Sequence, residues 1–293
     1  MQAGLIGLGA MGRGMAASLR KQGHAVHVCD VRPEAVASFV AEGGTGHASP
    51  ASLGAACDVV ISVVVNAAQT EAVLFGENGA AAAMKRGSVF VMCSTVDPGW
   101  SVALEKRLEA MGIYYLDAPI SGGAAKAAAG QITMMTAGRP EAYAKCQAVL
   151  DAMAGKVFRL GDRAGPGSTV KIVNQLLAGV HIAAAAEAMA LGIRAGVDPK
   201  ALYEVITASA GNSWMFENRM PHVLSGDYTP LSAVDIFVKD LGIVLDTARA
   251  TKFPLPLAST AHQMFMQASS AGHGREDDAA VIKVFPGIDL PGK

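Results

Sequence analysis

Short apolar runs alternate with helical stretches through the first half of the chain. The runs at 3–6, 25–29, 59–64, 88–92, 114–116, 133–136 and 157–159 are near-continuously apolar, as strands buried on both faces are. Helical spacing fills the gaps at 14–21, 33–42, 67–74, 99–111 and 140–153. Strands alternating with helices of this length predict an α/β fold with a doubly wound, mostly parallel sheet. The pattern stops near Leu160. A punctuated loop, Gly161-Asp162-Arg163-Ala164-Gly165-Pro166-Gly167, follows, and Ser168 suits a helix N-cap. From 168 to about 195 nothing breaks a helix decisively, despite Gly179 and Gly192. That exceeds an average globular helix and predicts a long helix joining two domains, 1–162 and an all-α 163–293. Further helices are expected at 199–208, 233–250 and 256–271, with proline and glycine stops between them.

The first turn carries candidate chemistry. Gly7-Leu8-Gly9-Ala10-Met11-Gly12 has the spacing G-x-G-x-x-G, lies between the first strand and a helix, and is followed about 20 residues on by Asp30, which closes the second strand. In a Rossmann-type turn the first glycine makes the bend, the second admits a pyrophosphate and the third lets helix and strand close up. The helix N-terminus then offers its N–H groups to the phosphates. Glycine is common here, 33 residues in all, so the context carries the motif more than its letters do. Gly7, Leu8, Gly9, Ala10, Met11, Gly12 and Asp30 are therefore expected to bind a dinucleotide. An acid at position 30 accepts from ribose hydroxyls and repels a 2′-phosphate, which favours NAD over NADP, although Arg32 two residues on blunts the argument. Val64, Val65 and Thr95 follow later strands on the same edge and are further cofactor candidates. Thr95 also fits the N-cap of the next helix.

Composition narrows the class. Twenty-four basic and 25 acidic residues argue against a nucleic-acid surface. Hydrophobic content is 51%, much of it alanine, and no uninterrupted apolar run reaches the roughly 18 residues of a membrane span. A strand starting at residue 3 leaves no room for a signal peptide. Cys29, Cys57, Cys93 and Cys146 are scattered and suit reduced thiols in a cytoplasmic protein. The seven histidines form no metal-ligand spacing, so no metal site is expected.

Three blocks are candidates for the chemistry beside a nicotinamide. Asp117-Ala118-Pro119-Ile120-Ser121-Gly122-Gly123 follows a strand, and its glycine turn offers backbone N–H groups and a hydroxyl to a carboxylate; it also reads as an ordinary turn. Lys171-Ile172-Val173-Asn174-Gln175 lies on the long helix. Lys171, Asn174, Gln175 and His181 fall on one side of it, amid Val170, Val173, Leu177 and Val180. A partly buried lysine beside a cationic ring suits a general base, while a surface lysine is the plainer reading. His181 alone reads as a satisfied, partly buried residue. Lys239, in Phe237-Val238-Lys239-Asp240-Leu241, could equally snorkel.

Together these blocks resemble the β-hydroxyacid dehydrogenase family over essentially the whole chain. The glycine motif, the Asp117–Gly123 block, Gly165-Pro166-Gly167 through Gln175, and Lys239-Asp240-Leu241 occur in the family's order. The resemblance implies that Ser121, Gly122 and Gly123 hold a substrate carboxylate and that Lys171 is the acid/base. It also places Lys239 at the substrate–cofactor junction and Thr95 at the nicotinamide. The chain departs at Gln175, where the family usually has Asn, so Asn174 or Gln175 could fill that role. It departs again within 63–71, where many members of the family have a proline.

Two stretches, 65–71 and 210–219, together with 175–182, resemble a narrower group acting at C2 of a four-carbon sugar acid with NAD. A polyhydroxylated acid needs several donors and acceptors, and His181, Asn212, Ser213 and Asn218 could supply them. The 212–219 segment also reads as a loop capping two helices. The alternatives are a tartronate semialdehyde reductase or 3-hydroxyisobutyrate dehydrogenase activity, or a non-catalytic nucleotide-binding or assembly protein. The alanine-rich helical half is expected to form a homodimer or homotetramer.

Overall fold

The computed structural model describes residues 1–292 and divides into two units, Met1–Lys171 and Ile172–Lys293. In the first, the elements run β1 (Gln2–Ile6), α1 (Ala10–Lys21), β2 (Ala25–Cys29), α2 (Pro33–Ala41), β3 (Thr45–Gly46), α3 (Pro50–Ala56), β4 (Val59–Ser62), α4 (Ala67–Phe75), β5 (Val89–Met92) and α5 (Pro98–Ala110). They continue with β6 (Tyr114–Asp117), β7 (Ile120–Ser121), α6 (Gly123–Ala128), β8 (Ile132–Gly138), α7 (Pro140–Met153) and β9 (Ala154–Arg159), and α8 (Pro166–Arg194) then begins.

The sheet order is β3-β2-β1-β4-β5-β6-β8-β7, with β9 paired to β8. The pairings from β3 to β6 are all parallel, while β8 runs antiparallel to β6 and β7. The predicted doubly wound, mostly parallel sheet is therefore present. Its order reverses between β1 and β4, and open α/β sheets bind ligands at such a switch point, beyond the strand C-termini. Val59, Val60, Ile61, Val89, Phe90 and Val91 are fully buried, as strands covered on both faces must be.

The sequence pattern missed β3, α3, β7 and α6. The start of α3 was nonetheless written in Ser49-Pro50-Ala51-Ser52, where Ser49 and Ser52 form a capping box. Helix α1 begins at Ala10 rather than 14, inside the glycine motif, so its first turn belongs to the motif itself.

Helix α8 spans 29 residues. Ser168 is not its cap: the helix starts at Pro166, where a missing N–H costs nothing. By length and composition α8 could cross a membrane, although Ile182, Ala183, Ala186, Met189 and Ala190 on it are buried in protein.

The second unit continues α8 and adds α9 (Pro199–Thr207), α10 (Trp214–Ser225), α11 (Val234–Ala250) and α12 (Pro256–Ala268). A π turn (Ser269–His273) and a 3-10 helix (Asp278–Val284) follow, so the helix expected to run to 271 is α-helical only to Ala268. Its core gathers Ile182, Met189, Phe216, Phe237, Leu241 and Phe265. Arg219 donates to both oxygens of buried Asp278 at 2.5 and 3.1 Å, tying α10 to the C-terminal segment.

Candidate active site

At the switch point, Gly7 sits beyond β1 with φ +99°, and a Cβ there would lie 3.0 Å from the Val63 carbonyl. A Cβ on Gly12 would lie 1.8 Å from the Gly7 carbonyl, so the turn closes only with glycine at both places. Gly9 differs: no atom lies within 4 Å of where its Cβ would be. It precedes α1, whose first N–H groups have no intrahelical acceptor and no side-chain cap. Open space beside unpaired N–H groups is what a pyrophosphate requires, so these residues fit a dinucleotide.

Asp30 fastens this turn. Its Oδ2 accepts from Leu8 N at 2.5 Å and its Oδ1 from Arg32 N at 2.9 Å and Arg32 Nε at 3.1 Å. Arg32 Nη2 also donates to the Leu8 carbonyl at 2.8 Å. Burial works to raise the Asp30 carboxyl, but the donations from Arg32 and Leu8 outweigh it and hold it below the usual range. Val64 is half-buried beside Gly7. Val65 is exposed, and its N–H donates to Gln69 Oε1 at 2.8 Å while Asn66 Oδ1 accepts from Gln69 N at 2.8 Å. Asn66 thus caps α4. Thr95 caps nothing: Asp97 caps α5, accepting from Trp100 N at 2.9 Å ahead of Pro98.

A second glycine turn sets Lys171. Asp117 ends β6 and is fully buried. Its Oδ2 accepts from Gly165 N and Ser168 N, both at 2.9 Å, and its Oδ1 from Ser168 Oγ at 2.6 Å. Burial pushes this carboxyl up, and the Ser168 and Gly165 donations recover only part of the shift. A Cβ on Gly167 would meet the Met135 carbonyl at 2.6 Å and the Asp117 carbonyl at 3.0 Å. With the start of α8 fixed in this way, Lys171 is buried and donates from Nζ to the Ile120 carbonyl at 2.8 Å. Ile120 is bonded in the chain to half-buried Ser121, which Gly122 and Gly123 follow at the start of α6. The structure therefore brings Lys171 to the Ser-Gly-Gly block. The anchoring role of Asp117 went unread because its partners lie 48 and 51 residues away.

In the second unit Asn174, Gln175, Lys239 and Asp240 form a chain of contacts. Asn174 Nδ2 donates to Gln175 Oε1 at 3.0 Å, Gln175 Nε2 donates to Asp240 Oδ2 at 2.5 Å, and Lys239 Nζ pairs with Asp240 Oδ1 at 2.6 Å. Lys239 is thus an ion-pair partner rather than a snorkelling side chain. Asp240 was missed as a site residue, although it stands next to Lys239.

His181 does not share this environment. It is exposed, not partly buried, because ten residues at 100° each turn it about 80° away from Lys171. Val170, Val173 and Leu177 are exposed too, so the polar row is not embedded among buried valines and leucines. In the segment read as polar, Ser213 caps α10, Asn218 accepts from Arg219, and Asn212 Nδ2 donates to the Thr207 carbonyl at 3.3 Å. Most of that segment is helix rather than loop. Among the described residues no cluster of three or more metal-ligating side chains occurs.

Residues 2–161 match the family model of the NAD-binding domain of 6-phosphogluconate dehydrogenase, and residues 165–285 that described as NAD-binding of NADP-dependent 3-hydroxyisobutyrate dehydrogenase. The chain belongs to this family and is a hydroxyacid dehydrogenase that uses a nicotinamide dinucleotide. It is 68% identical to an L-threonate dehydrogenase of Cupriavidus necator over 290 residues, 99% of this chain and 98% of that one. The L-threonate dehydrogenase of Haemophilus influenzae is 52% identical, over 99% of this chain and 96% of its own. A crystal structure named 3-hydroxyisobutyrate dehydrogenase, from Salmonella typhimurium, superposes with a TM-score of 0.93 at 53% identity, covering 97% of this chain and 100% of that one.

Proposed function

We propose that this enzyme oxidises L-threonate at C2 to 2-dehydro-L-erythronate, with NAD rather than NADP and Lys171 as general base. The observation that carries the chemistry is buried Lys171, set by the Asp117 clamp and aimed at the carbonyl next to Ser121. Bound NAD supplies the acceptor for the C2 hydride. Ser121, Gly122 and Gly123, with Lys239, hold the substrate carboxylate. Lys171 takes the C2 hydroxyl proton at Nζ as the C2–O double bond forms, and returns it in the reverse direction. Thr95, Val64 and Val65 line the nicotinamide end, and Asp30 receives the ribose hydroxyls. Asn174 or Gln175 contacts the substrate hydroxyls. Residues 1–162 form the cofactor domain and 163–293 the substrate and oligomerisation domain of a cytoplasmic homodimer or homotetramer.

The L-threonate dehydrogenase relatives at 52–68% identity support this substrate. The name of the Salmonella structure favours a second reading, a shorter acid oxidised at C3. A panel of L-threonate, D-glycerate and 3-hydroxyisobutyrate with NAD and with NADP, followed by NADH or NADPH absorbance, separates the two. Brisk L-threonate turnover with NAD is expected. Turnover of D-glycerate or 3-hydroxyisobutyrate alone overturns the substrate, and equal efficiency with NADP overturns the cofactor preference.

A further inference from the structure

Helix α5 buries a carboxylate that the chemistry above does not use. Its buried stripe is Ser101, Leu104, Glu105 and Leu108, and Glu105 is 2% exposed. Glu105 Oε1 accepts from Ala164 N at 3.2 Å, and Oε2 pairs with Arg163 Nε at 3.2 Å. Arg163 also reaches Glu109 Oε2 at 3.1 Å, one turn along α5. The next N–H in the chain, that of Gly165, goes to Asp117. Two consecutive N–H groups ahead of Lys171 are thus taken by carboxylates on different elements. Asp117 meets the start of α8 at one carboxylate, about which a helix could still turn. Ala164 adds a second point of attachment on α5, and the Ser101 and Tyr115 hydroxyls, 2.8 Å apart, fasten α5 to β6. A buried ion pair is a costly route to stability, since apolar residues of like volume commonly serve as well. An apolar side chain cannot, however, accept the Ala164 N–H.

We infer that Glu105 is a positioning residue for Lys171. By holding Ala164 it fixes the approach to α8, so that Lys171 Nζ meets the Ile120 carbonyl. Glu105 acts by reach, as an acceptor at the right distance, while Arg163 answers its charge. The inference rests on the reading of Lys171 as the base.

Two conservative changes separate reach from charge. Glu105→Gln keeps an acceptor oxygen at the same distance from the main chain and removes the charge, whereas Glu105→Asp keeps the charge and withdraws it by one methylene. The readout is the single-turnover rate of NADH formation from L-threonate, with NAD affinity titrated on the same preparation. Glu105→Asp is expected to lower the rate about tenfold, as a displaced catalytic group does, with NAD affinity within about twofold of wild type. Glu105→Gln is expected to stay within about twofold of wild type in both. Amide exchange reads the attachment without turnover. In Glu105→Asp the Ala164 and Ser168 amides should exchange about tenfold faster while those of β5 stay unchanged, and in Glu105→Gln all should match wild type. Glu105→Met, which offers no acceptor oxygen, repeats the Asp pattern and serves if the Asp variant does not fold. A slow Gln variant beside a normal Asp variant assigns the effect to charge and overturns the inference. Wild-type rates in both Glu105→Asp and Glu105→Met overturn it as well. If Lys171→Ala keeps the wild-type rate, the reading of Lys171 as base fails alone, and amide exchange then decides whether Glu105 fixes the start of α8. D-glycerate replaces L-threonate if the wild-type enzyme turns over only the former.

Discussion

The molecule has two glycine turns, each tied by an aspartate at the end of a strand. In the turn after β1, Asp30 holds the Leu8 N–H; in the turn after β9, Asp117 holds the Gly165 and Ser168 N–H groups. The residue types are alike and the spaces are opposite. Around Gly9 nothing lies within 4 Å of a would-be Cβ, whereas around Gly167 two carbonyls fill that position. The first turn leaves room for a ligand. The second closes on itself and fixes the helix that carries Lys171. A glycine motif thus signals binding only where the missing side chain leaves empty space.

Alanine substitutions break the comparison most sharply. Gly167→Ala forces a Cβ against the Met135 carbonyl and is expected to cost about 3 kcal/mol, with a clear drop in thermal midpoint and loss of activity. Gly9→Ala, in extended backbone at φ −69°, is expected to keep the wild-type midpoint. Its NAD affinity should fall about tenfold, the scale of one charge-assisted hydrogen bond, measured by titration. Equal melting of the two variants would erase the distinction.

The two aspartates titrate in opposite senses. Burial raises Asp117, so the folded state binds its proton more tightly; the stability this adds is present at low pH and is lost as pH rises from the ordinary value near 3.8 through the raised one. Asp30 is lowered, so its contribution is present above the ordinary value and is lost as pH falls through the depressed one. Thermal midpoints across pH should therefore show Asp117→Asn flattening a downward slope above pH 4 and Asp30→Asn flattening an upward slope below it. Slopes of the same sign would contradict this account. The smallest effect is expected at Arg32, whose side chain is half exposed. Arg32→Ala should change stability by under about 1 kcal/mol and give no gain in NADP affinity over NAD, checked by melting and by paired titrations.

Much of the first unit was legible because its signals are local. Apolar runs marked the strands of the parallel sheet, and Asp30 fell at the expected distance after the glycine motif. Caps were local too, yet Ser168 and Thr95 were misread, because Pro166 and Pro98 set the helix starts and a proline at the first helical position outranks a nearby hydroxyl. Asp117 and Asp240 escaped because they act on Ser168 and Gln175, 51 and 65 residues away, through pairings that no sequence spacing encodes. His181 shows the limit of helical periodicity: ten residues along α8 carry it round to an exposed flank.

The central claim, that the closed turn exists to hold a base, is tested most directly by Lys171→Ala, measuring kcat for hydroxy acid oxidation and NAD affinity on the same preparation. A fall in kcat of about 10²–10⁴-fold with NAD affinity within about twofold of wild type is expected of a lost general base. A kcat within about threefold of wild type would remove Lys171 from the reaction.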